Sequence, residues 1–139
     1  MSMTVWLNVR TGDKHESAGE DLSALFDLQE PISALSDKLG IKSLADYFDD
    51  TDARYNMGED DSLEESEDGW PASAAKWHDA GDLLVSATAL LSHLRSTPDA
   101  IEAEGDWTQE QLIEDLEILL PGLEQAKAQK KQVHLLIVM

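Results

Sequence analysis

The sequence of 139 residues contains no cysteine, which excludes disulfides, thiolate metal sites and a cysteine nucleophile. It is also short of positive charge: 10 Lys and Arg stand against 29 Asp and Glu, for a formal net charge of −19. A field of that sign repels phosphate backbones and anionic lipid surfaces, so neither nucleic acid nor a membrane is expected as a partner. A basic protein or a cation is the kind of ligand it attracts. Long apolar runs are missing as well. Val133–Met139, with His134 inside it, falls far below the roughly 20 residues of a membrane span. Met1–Asp13 has neither the apolar core nor the small-residue cleavage site of a signal peptide. The expectation is a cytoplasmic protein. Its length fits a single domain over residues 1–139, one that buries roughly 70% of the unfolded chain's surface without needing a covalent staple.

Two segments read as strands. Thr4–Arg10 alternates Val5, Leu7 and Val9 against Trp6, Asn8 and Arg10, the period of a half-buried strand, and Thr11-Gly12-Asp13 follows as a turn. Val133–Val138 is apolar apart from His134 and rich in β-branched residues, which suits a strand in the middle of a small sheet. These two are expected to pair. Between them the patterns are helical. Leu22, Leu25 and Phe26 share a face, and Pro31 is placed to open a second helix carrying Ile32, Leu35 and Leu39. Gly40 followed by Ile41 reads as a left-handed stop. Ser43 and Asp46 form a cap pair for a short helix with Leu44, Tyr47 and Phe48. Leu83, Ala87, Leu90, Leu91 and Leu94 mark a long helix that begins near Asp79 and ends before Pro98.

The sharpest local signal lies at Thr108. Thr108 and Gln111 have capping-box spacing, and Trp107 and Leu112 have that of a hydrophobic staple. The helix they open runs on Leu112, Leu116, Leu119, Leu120, Leu123 and Ala126, with Lys127, Lys130 and Lys131 at its negative dipole end. Pro121 has no N–H to give the Glu117 carbonyl, so a kink or break is expected there.

Charge is concentrated. From Asp46 to Asp68 eleven carboxylates face a single Arg54, a net charge of −10 in 23 residues. Within it, residues 57–69 offer only Leu63 to a core, the composition of a mobile acidic loop. So many carboxylates invite a test for a calcium loop. Setting Gly69 at the sixth position puts Ala75 at the twelfth, and setting Gly58 there puts Ala53 at the first, so both registers fail. The histidines His15, His78, His93 and His134 show no metal-ligand spacing. His134, inside an apolar strand, reads as a hydrogen-bonded or edge-facing histidine rather than a catalytic one. There is no Gly-x-Ser-x-Gly elbow and no glycine-rich phosphate loop. Catalytic residues, cofactor and metal are accordingly all predicted as none.

Met3–Arg10 (MTVWLNVR), Ser43–Met57 (SLADYFDDTDARYNM) and His134–Met139 (HLLIVM) together resemble small acidic bacterial proteins of uncharacterised function. That resemblance implies a bacterial, cytosolic setting and brings no activity or cofactor with it. In size and charge the chain is also analogous to immunity proteins, which neutralise toxins by binding them.

These patterns predict an α+β domain, a bundle of three or more helices packed on a small sheet formed by the N- and C-terminal strands. The expected function is non-catalytic binding of a basic protein through an acidic, aromatic-edged surface comprising Asp49, Asp50, Asp52, Tyr55, Asp60, Asp61, Glu64, Glu65 and Trp70. Two alternatives stand beside it. One is an enzyme, metal-dependent or otherwise, with carboxylates and His78 in a pocket; the other is a structural protein whose acidic loop is merely solvated.

Overall fold

The alternating N-terminal segment forms β1 (Thr4–Thr11), and the apolar C-terminal one forms β5 (Gln132–Val138). They pair antiparallel in continuous register, from Thr4 opposite Val138 to Arg10 opposite Gln132. The computed structural model describes residues 4–12, 14–17, 21–52, 72–101 and 107–138. Beyond the tight turn at Gly12, β2 (Lys14–Ser17) folds back on β1. The other side of β5 is shared by two short strands. β3 (Phe48–Asp49) runs parallel to it opposite Leu135 and Leu136, and β4 (His78–Asp79) runs antiparallel to it opposite Val133 and Gln132. The β5 strand therefore lies inside a five-stranded sheet with order β2-β1-β5-β3, and Val133 to Leu136 are all buried.

The register sorts side chains onto two faces, because alternate residues of a strand point oppositely. Val5, Leu7, Val133 and Leu135 join the main core with the helices. Trp6, Asn8, His134 and Leu136 occupy the second face.

Among the described residues, four α-helices cover the first face: α1 (Ser23–Asp27), α2 (Gln29–Leu39), α3 (Ala80–Ser96) and α4 (Gln109–Ala128). Leu25, Ile32, Leu83, Leu90, Leu94, Leu112, Leu116 and Leu119 fill the space between helices and sheet. Pro31 falls in the first turn of α2, where a missing N–H costs nothing. Gly40 ends that helix at φ +70°, and the Ile41 N–H returns to the Ser36 carbonyl at 3.0 Å. Asp79 caps α3 through Gly81 N at 2.8 Å. The capping box of α4 forms in both directions between Thr108 and Gln111, and Trp107 packs against the core while its indole N–H donates to Asp27.

At Pro121 the expectation of a break fails: α4 continues through it to Ala128. Pro121 is exposed, so the carbonyl it leaves unpaired is on the solvent side. The buried stripe from Leu112 to Ala126 holds both halves of the helix on one core.

Helix α1 has no side-chain cap at Leu22. Its cap comes from another helix: Asp115 of α4 accepts from the Leu25 N–H at 3.1 Å. Burial pushes the Asp115 carboxyl above the usual range, and the N–H groups of Leu25 and Ala24 pull it back. Asp115→Ala should destabilise the fold by about 1–2 kcal/mol, the worth of a lost cap, with Asp115→Asn retaining part of it. Chemical denaturation of both variants checks this, and equal losses would rule out the acceptor role.

Candidate binding surface

The acidic segment begins in an ordered corner. Ser43 caps the short 3-10 helix Leu44–Tyr47, its hydroxyl accepting from Ala45 N at 3.2 Å. That turn delivers the chain into β3, where Phe48 stacks on Phe26 with ring centroids 5.9 Å apart. Asp49 pairs in register with Leu136 and so takes the second face. Both its carboxylate oxygens are engaged by backbone: one accepts from Thr51 N at 2.9 Å, the other from Lys76 N at 3.2 Å. One side chain thus ties the start of the acidic segment to the strand that follows it.

Of the nine residues expected to meet a partner, the structure places three. Asp49 is part-buried and bonded inward, Asp50 is exposed, and Asp52 is half-buried beyond the fully buried Thr51. Asp49 ends β3, and Asp50 and Asp52 follow it directly in the chain. Tyr55, Asp60, Asp61, Glu64, Glu65 and Trp70 lie outside the described residues, as does the acidic loop at 57–69.

The second face carries a polar cluster. Nδ1 of His134 lies 3.0 Å from the Lys76 carbonyl and must carry the proton, since a carbonyl only accepts. Its Nε2 is then the acceptor for the Asn8 amide at 3.0 Å, and the same amide nitrogen lies 3.3 Å from His15 Nδ1. Trp77 stacks on the His134 ring at 4.0 Å and 14°, and its indole N–H donates to the Ala72 carbonyl at 2.7 Å. His134 and Asn8 are fully buried, and Asn8 Oδ1 has no hydrogen-bond partner among the described residues. The sequence pointed to a hydrogen-bonded or edge-facing His134. Its partners follow only from the pairing register, which sets Asn8 directly opposite.

His78 lies in β4, ahead of the helix that carries Asp82, and its ring meets Tyr47 edge-on at 4.7 Å. Burial lowers its pKa; Lys42 and Lys76 lower it further, against the fields of Asp49 and Asp82. Tyr47 is fully buried, and burial pushes its hydroxyl above the usual range, the nearby Ser86 side chain acting against that. A shallow cleft of about 370 Å³ opens over Tyr47 between Lys42, Asp82 and Val85, and His78 does not line it. Among the described residues, no group of three or more His, Asp or Glu is placed to hold a metal ion, and no helix is long and apolar enough to cross a membrane. Comparison of the chain with protein-family models, with curated proteins and with solved structures gives no match.

Proposed function

We propose that the chain is a non-catalytic binding protein that receives a basic protein partner on its acidic edge. The surface comprises Asp50 and Asp52 together with Tyr55, Asp60, Asp61, Glu64, Glu65 and Trp70 of the following segment, with Asp49 as its anchor. The observation that carries this reading is the pair of hydrogen bonds that the Asp49 carboxylate accepts from Thr51 N and Lys76 N. It fixes the two ends of a segment rich in carboxylates at one sheet edge, so a partner meets charge whose ends are already held. Fixing both ends lowers the ordering cost of association. The concentrated negative field speeds encounter and selects a basic partner, and the aromatic side chains supply contact area. By analogy of size and charge, a toxin-neutralising immunity protein is one form this function takes. The reading puts the protein in the cytoplasm of a bacterial cell.

The test uses affinity capture to obtain a partner, followed by kinetics with that partner purified. The association rate should fall at least tenfold between about 50 and 500 mM salt, as for electrostatically steered encounter. Reversing Asp60, Asp61, Glu64 and Glu65 to lysine should remove binding while leaving the unfolding midpoint nearly unchanged. A partner whose association rate ignores salt, or binding that survives the reversal, would overturn the reading.

A further inference from the structure

Val85 is an apolar side chain facing solvent in the middle of α3, with 66% of its surface exposed. It forms the rim of the cleft over Tyr47, whose walls also include Ile41, Lys42, Asp82 and Ser86. The floor is fixed: Tyr47 is fully buried and packs edge-to-face with the His78 ring. The remaining face of the Tyr47 ring carries a cation, with Lys42 Nζ 4.5 Å from the ring centroid. Asp82 is exposed at the wall, and Asp46, also exposed, lies on the same 3-10 turn as Tyr47. The cleft thus combines an aromatic face that already holds an ammonium group, a carboxylate beside it and an uncovered apolar rim. A long cationic side chain meets all three, with its methylenes along Val85 and Ile41, its head toward Asp82 and its charge over the ring.

We propose that this cleft is a pocket for an arginine side chain of a basic protein partner, in which the guanidinium displaces Lys42 from the Tyr47 ring. Arginine fits better than lysine because its planar head stacks on the ring while pairing with the carboxylate. The sign of the partner's charge rests on the reading given above, and the complementarity is that of a chain carrying −19. None of the lining residues belongs to the acidic segment 53–70. Lys42 acts here as an internal competitor, which makes the sign of its substitution informative.

The probe is the capped peptide acetyl-Leu-Arg-Leu-amide, titrated into the full chain and followed by ¹H–¹⁵N correlation spectra. Acetyl-Leu-Glu-Leu-amide serves as the control. Saturable shifts are expected at Ile41, Lys42, Asp82, Val85 and Ser86 with the arginine peptide only. Lys42→Ala should tighten binding about threefold and Asp82→Asn weaken it by a similar factor, the scale of one exposed cation–π or ion-pair contact. Weaker binding by Lys42→Ala, or equal shifts from the glutamate peptide, would overturn the proposal. Shifts confined to Asp50–Asp68 would overturn it while supporting the acidic-edge reading. Shifts at the cleft that persist when Asp60, Asp61, Glu64 and Glu65 are reversed would support the pocket, and would count against that segment as the binding surface for this ligand.

Discussion

Replacing His134 with alanine is expected to lower the unfolding free energy by about 3 kcal/mol, because a buried ring and its hydrogen bonds are lost together. The imidazole is fully buried, donates to the Lys76 carbonyl and accepts from Asn8. Without it, the Asn8 amide loses an acceptor at a site where its Oδ1 already has no partner among the described residues. Loss of the stack on Trp77 adds about 0.5–1.5 kcal/mol within that total. Urea unfolding followed by tryptophan emission measures the change. The companion experiment pairs Asn8→Leu with His134→Leu. Removing donor and acceptor together should cost less than the two single changes summed, by about 1 kcal/mol or more. Strict additivity would mean that the two side chains are not energetically coupled.

The same histidine gives the fold a dependence on pH. Burial holds its pKa below the ordinary value of 6.5; the fields of His15 and His78 act in that direction, and Asp49 and the Lys76 carbonyl oppose it. Between the folded pKa and 6.5, the unfolded chain binds a proton that the folded chain does not. The contribution to stability is therefore complete above about pH 6.5 and is lost as pH falls from there through the folded value. His78, also held low, adds to the loss in the same direction. Comparing unfolding midpoints at about pH 7.5 and 5.5, the loss should be smaller in His134→Leu than in the wild type. An identical loss would assign it to other groups.

How much of this was legible in the sequence depends on how far each feature reaches along the chain. The caps at Ser43 and Thr108 are local chemistry, and each forms where its spacing predicts; α3 likewise opens at Asp79, where its pattern begins. The pairing of β1 with β5 was legible because one segment alternates and the other is almost continuously apolar, the two strong strand signals in the chain. The strands β2, β3 and β4 were not. Lys14–Ser17 is polar, and Phe48–Asp49 and His78–Asp79 are two residues each, so they become strands only because longer strands offer free edges. Asp49 illustrates the same limit within the candidate site. In the sequence it is one carboxylate of eleven, and only the return of the chain at Lys76 makes it an anchor. Asp115 was indistinguishable from other helix-surface acids until α1 was placed against it. Val85 belongs to an apolar helix and carries no mark of exposure before the helix is docked.

Pro121 and Gly122 pose the opposite problem, since local propensity argues against the helix that forms through them. In a helix interior, proline and glycine together cost about 4 kcal/mol relative to alanine. Tertiary packing overrides this: Leu119 and Leu123 are buried on either side, while Pro121 faces solvent. Gly122 has a further task. A Cβ built there would lie 2.6 Å from Leu7 Cδ2, so the missing side chain is what lets α4 approach β1. Gly122→Val is accordingly expected to destabilise by about 2–3 kcal/mol, because a branched Cβ must displace a buried leucine. Gly122→Ala should cost much less, as its gain of about 1 kcal/mol in helix propensity offsets part of the clash. The decisive measurement is a cycle with Leu7→Ala. That change alone should cost about 2–4 kcal/mol through its cavity, but it opens the space that valine needs. The double variant should therefore be more stable than the sum of the single changes by about 1 kcal/mol or more. If Gly122→Val unfolds at the wild-type urea concentration, the close approach of α4 to Leu7 is not what seats this helix on the sheet.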